Sequence, residues 1–121
     1  MDTLRYLVDE NIGPMLKDAL LRQAPELTVW CVGDPGAPPL GTADPQILVW
    51  CEAKGSALVT NNRASMPVHL AAHLRHGGHV LRIFILNPGM TVGQTVEELV
   101  LIAVAADPEH YADRVNYLPV T

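Results

Sequence analysis

The chain has 121 residues, nearly half of them apolar, which predicts one domain over residues 1–121 with a core that needs no staples. No apolar run nears the ~20 residues that span a bilayer, and no basic, apolar and cleavage-site sequence opens the chain, so a cytoplasmic protein without membrane association is expected. A formal charge of −5 argues against a protein that coats nucleic acid indiscriminately.

The hydrophobic period alternates between strand and helix along the chain. Leu4–Val8 reads as a short buried strand, after which Asn11 is placed to cap a helix with Pro14 in its first turn. Ile12, Met15, Leu16, Ala19 and Leu20 give that helix one apolar face. Leu27–Val32 is a second strand, rich in β-branched and aromatic residues. The glycines and prolines from Gly33 to Gly41 then form a long loop. Thr42 or Asp44 caps a second helix with Pro45 at its first position, and Gly55 ends it. Ala57–Thr60 is a third strand, Met66–His76 a third helix stopped by Gly77-Gly78, and Val80–Leu86 a fourth strand. Asn87-Pro88-Gly89 is a turn, and Thr91 caps a fourth helix running to about Ala106. Arg114–Leu118 reads as a closing strand.

Such alternation predicts an α/β fold, a three-layer α/β/α sandwich around a mostly parallel sheet. In that architecture the loops leaving the strands' carboxyl ends meet at one edge. Asp9, Glu10 and Asn11 follow the first strand, Asp34 the second, Asn61 and Asn62 the third, and Asp44 opens the second helix. Carboxylates and amides gathered there point to a divalent-metal phosphodiester site. Asp9 and Asp44 are the candidate metal ligands and catalytic residues, with Asn62 offering an amide oxygen. Asn11, Asn61 and Arg63 are candidate substrate contacts, Arg63 toward phosphate. Each has a plainer alternative. Asp9 is otherwise a solvated acid, Asp44 and Asn11 are helix caps, Asp34 marks a turn, and Glu10 is either a base beside the metal or an acid facing water.

No Asp or Glu occurs from Ala53 to Gln94, whereas Lys54, Arg63, Arg75, Arg82 and four of the five histidines do. If this segment lines the crevice, a phosphate backbone can approach despite the negative total. His69 and His73 share a helix face, but no Glu or Cys completes a zinc set around them, so a polar helix face is expected. Cys31 and Cys51 sit among bulky apolar neighbours and read as reduced core thiols. No P-loop, GxGxxG or GxSxG spacing is present. The fourth helix is apolar around most of its circumference, which suggests a homodimer surface or simple burial.

Leu7-Val8-Asp9-Glu10-Asn11, Ala43-Asp44-Pro45-Gln46-Ile47-Leu48 and Ala57-Leu58-Val59-Thr60 resemble the PIN-like family of prokaryotic proteins related to the VapC toxins. The likeness covers roughly residues 4 to 86. It implies a PIN-like α/β/α sandwich, Mg²⁺ or Mn²⁺ held by clustered acids, RNA as substrate, ribonuclease activity, and an antitoxin protein as partner. Asp9 takes the first ligand position and Asp44 the helix-borne one. The family's D-x-D falls on Asn62 and Ala64, so both of its acids are absent. The expectation is therefore a weak one-metal nuclease or a non-catalytic RNA- or protein-binding module on the same fold.

Overall fold

The computed structural model describes residues 4–80, 82–105 and 112–119. Among the described residues, five strands alternate with four helices. They are β1 (Arg5–Val8), α1 (Pro14–Gln23), β2 (Thr28–Cys31), α2 (Asp44–Lys54), β3 (Ser56–Thr60), α3 (Met66–Arg75), β4 (Ile83–Ile85), α4 (Val92–Ala105) and β5 (Val115–Tyr117). The strands form one sheet in the order β2-β1-β3-β4-β5, and every neighbouring pair is parallel. The α/β/α sandwich expected from the alternation is present, with its sheet parallel throughout.

Side chains that alternate along the strands feed two cores. Tyr6, Val8, Val59 and Phe84 face α1 and α4, where Leu16, Leu20, Val96 and Leu99 meet them. Leu7, Leu58, Ile83 and Ile85 face α2 and α3 and pack on Ile47, Leu48, Met66 and Leu70. The central strand β3 is buried at all five positions, as a strand covered on both faces must be. The Tyr6 hydroxyl donates to the Leu99 carbonyl at 2.6 Å, which satisfies a polar tip inside an otherwise apolar layer. Cys31 and Cys51 are buried, unpaired and divided between the two cores. Burial pushes the Cys51 thiol up to about 12.

Three local expectations need correction. Asn11 does not cap α1: Ile12 N–H closes a turn onto the Asp9 carbonyl, and Gly13, at φ 81°, redirects the chain so that the helix begins at Pro14. Neither Thr42 nor Asp44 caps α2. The Ala43 carbonyl accepts from Gln46 and Ile47, so Ala43 is the cap, Asp44 lies in the first turn and Pro45 comes one place later than expected. β4 is shorter than Val80–Leu86, because the backbone of Val80 pairs with Asp113 before the ladder starts. Leu81, within that span, and Ala106, where α4 was expected to end, lie outside the described residues. Thr91 does cap α4, and reciprocally: Gln94 N–H donates to Thr91 Oγ1 at 3.0 Å and Thr91 N–H to Gln94 Oε1 at 2.9 Å.

Candidate functional site

Strand order reverses at β1, whose neighbours β2 and β3 follow it in sequence, and the crevice beyond the carboxyl ends of β1 and β3 is where open α/β sheets place their ligands. The ladder continues one residue past β1, with Asp9 N–H donating to the Val59 carbonyl at 2.9 Å. Asp9 is thereby held at the lip of the sheet, on the Leu7 side that faces α2 and α3. The residue is 6% exposed.

The next residue of β3 in register is Thr60, also buried, and its hydroxyl donates to Asp9 Oδ2 at 3.0 Å. The same hydroxyl accepts the Asn62 backbone N–H at 3.1 Å. The Asn62 side chain then closes the circuit. Its Nδ2 donates to Asp44 Oδ2 at 2.9 Å and to Ser65 Oγ at 2.8 Å, while its Oδ1 accepts the Ser65 backbone N–H at 3.2 Å. A backbone N–H can only donate, so Ser65 requires Oδ1 on its side and leaves the NH₂ group for Asp44. His69 Nε2 lies 3.7 Å from the same Asp44 oxygen. Asp9 and Asp44 thus belong to one network, joined through Thr60 and Asn62.

Asn62 occupies an expected position with an unexpected polarity. The sequence suggested an amide oxygen turned toward a metal; the amide instead turns a donor toward Asp44, and both of its hydrogens are engaged. Among the described residues, no group of three or more His, Cys, Asp or Glu is arranged to hold a metal ion. The donor set does not fit the acid-clustered centre that the resemblance implies.

Other acids near this edge have structural work. Glu10 Oε1 accepts from Gly41 N–H at 2.9 Å and ties the end of the long loop to the end of β1. Asp34 pairs with Lys17 of α1 at 2.6 Å and accepts the Cys31 N–H at 2.8 Å. The Lys17 hydrogen bond, then that of Cys31, holds the Asp34 carboxyl below the usual range.

Asn61 and Arg63 are not part of the Asp9–Asp44 network. They line a cavity of about 430 Å³ between α1 and α4, because the residue after Thr60 points to the other side of the sheet. Asn11 is exposed, and its side chain makes no hydrogen bond among the described residues.

His69 and His73 share a face of α3, yet each meets a different acid of α2: Asp44 for His69, and Glu52 for His73 at 2.8 Å. The pair therefore fastens two helices. At the opposite end of the sheet, Glu52 Oε1 also accepts the His79 N–H at 2.6 Å, and His79 Nδ1 lies 2.9 Å from Asp113 Oδ2. The His79 backbone bond and then the His73 contact draw Glu52 below its ordinary value, and Asp113 raises that of His79.

Sequence reasoning missed Thr60 and Ser65. Thr60 had a usable signal, since parallel register places it beside the residue after Val8; Ser65 had none beyond its spacing from Asn62. No protein-family model, curated protein or solved structure matches this chain. None of the described helices is long and apolar enough to cross a membrane.

Proposed function

We propose that this chain is a non-catalytic RNA-binding module on a PIN-like sandwich, in which neutral hydrogen-bond donors, the Thr60 hydroxyl and the Asn62 amide, stand in for the metal of a nuclease centre. The single observation that carries this reading is the Asn62 Nδ2 to Asp44 Oδ2 hydrogen bond. A cation and an N–H donor satisfy a carboxylate in the same sense, and here the donor is built into the chain. RNA is favoured over a protein partner by Arg63 and Asn61, the part of the acid-free segment that stands at the carboxyl edge of the sheet, whereas Lys54 and Arg75 end α2 and α3 at its other end.

A second reading, a one-ion ribonuclease, is favoured by the retention of both Asp9 and Asp44 in one network. One pair of measurements separates the two. Fluorescence anisotropy with labelled single-stranded RNA reports binding, and a cleavage assay with Mg²⁺ or Mn²⁺ compares wild type with Asp9→Asn and Asp44→Asn. Binding without cleavage is the expected result. Cleavage that both substitutions abolish would replace the binding module with the nuclease, and absence of RNA binding would leave neither.

A further inference from the structure

The cavity between α1 and α4 has about 430 Å³, within the ~300–1,000 Å³ usual for small-molecule sites. Its floor and walls are apolar: Leu16 is buried, and Ile12, Met15, Leu86 and Met90 surround it. Thioethers among aliphatic groups adapt readily to a flat ring.

The polar groups of the cavity are unevenly committed. The Asn61 side-chain amide makes no hydrogen bond among the described residues. Asn87 spends Oδ1 on the Gly89 N–H at 2.8 Å and keeps its NH₂ group. The Arg63 guanidinium reaches only the Leu86 carbonyl, at 3.4 Å, and has no carboxylate partner among the described residues. None of the lining residues is acidic. Beside Arg63, 6.0 Å from its guanidinium carbon to the ring centroid, stands Tyr117, which is 51% exposed.

We infer that this cavity takes one nucleotide of a single-stranded RNA, the base against the apolar floor and its phosphate on Arg63. The inference rests on the RNA-binding reading and adds the place and the unit of recognition. A nucleobase offers apolar faces to the methionines and edge acceptors to Asn61 and Asn87, and its phosphate supplies the anion that Arg63 lacks. Tyr117 gives the neighbouring base a surface on which to stack. An aliphatic carboxylate would satisfy the floor and Arg63 but leave both amides unused.

The test uses the full chain carrying ¹³C-labelled methionine methyl groups. It is titrated in turn with nucleoside 5′-monophosphates, the matching nucleosides, decanoate and a short single-stranded RNA. The Met15 and Met90 signals should move with monophosphate and with RNA, while Met66, buried in the opposite core, stays fixed. Arg63→Gln should weaken the monophosphate by about tenfold and the nucleoside by less than about twofold. RNA binding with Met15 and Met90 unmoved would overturn the cavity assignment and leave the RNA-binding reading intact. Monophosphate binding without RNA binding would keep the cavity and overturn that reading. Decanoate binding more tightly than any monophosphate, or Arg63→Gln weakening nucleoside and monophosphate alike, would overturn the inference.

Discussion

At the scale of single residues, the Asp9–Thr60–Asn62–Asp44 network makes strong demands on a few atoms. Thr60 Oγ1 serves Asp9 as donor and Asn62 as acceptor, in a buried position. Thr60→Val keeps the volume but strands a carboxylate oxygen and a backbone N–H, at a cost of about 1–3 kcal/mol. Urea denaturation measures that loss, and an unchanged midpoint would refute the bonding scheme. Asn62→Asp sets a second carboxylate against Asp44 where a donor now stands. We expect a loss of about 1–2 kcal/mol at neutral pH. Repulsion raises the carboxyl pKa values in the folded state, so this deficit should shrink as pH falls and the pair takes up a proton. Stability curves at neutral and acidic pH read the sign directly.

At the scale of elements, helix starts explain much of the difference between expectation and structure. Asn11, Thr42 and Asp44 all have capping side chains, yet Gly13 and Ala43 hold the cap positions of α1 and α2. The backbone route out of the preceding loop decides where the first helical hydrogen bond closes, and side-chain preference yields to it. Thr91 is the contrary case: the turn closed by Met90 N–H on the Asn87 carbonyl ends just before it, so the residue with the capping side chain itself stands at the cap position. Thr91→Ala should cost α4 about 1 kcal/mol, visible as a lowered denaturation midpoint.

The pair between the end of α3 and the approach to β5 provides a pH prediction. Asp113 raises the His79 pKa, so the stabilisation from His79 is present below its ordinary value and lost as pH rises through the folded value. Burial works to raise Asp113, but the His79 and Val80 hydrogen bonds outweigh it and leave Asp113 lowered. Its contribution is present above the ordinary carboxyl value and lost as pH falls through the folded one. The pair therefore acts in full between the ordinary carboxyl and imidazole values, roughly pH 4 to pH 6.5. His79→Ala should flatten the stability–pH curve across that window, as measured by thermal melts.

At the scale of the whole molecule, one parallel sheet separates two cores and is shared by both. Loss of either helical layer would expose a face of strands that are buried on both sides, so the layers should unfold together. Trp30 and Trp50, packed edge to face with ring centroids 5.1 Å apart, report on the α2–α3 side. Their fluorescence and the far-ultraviolet circular dichroism should trace coincident urea transitions, and separated transitions would show that the two layers unfold independently. On α4, Leu101 and Val104 are exposed, while Val96, Leu99 and Ile102 serve the core.

The sequence by itself determined the alternation of strands and helices, and hence the parallel sandwich. Periods of two and 3.6 are local properties of a chain and survive whatever the rest of the molecule does. It also determined that Asp9 and Asn62 would leave their strands at the same edge. Only the tertiary structure decided the strand order, the sides of the sheet to which Asn61 and Asn62 belong, and the direction of the Asn62 amide. Those depend on parallel register and on one backbone N–H, that of Ser65, arriving at a particular oxygen. Residue types set what a side chain can donate or accept; the fold sets which atom is there to receive it.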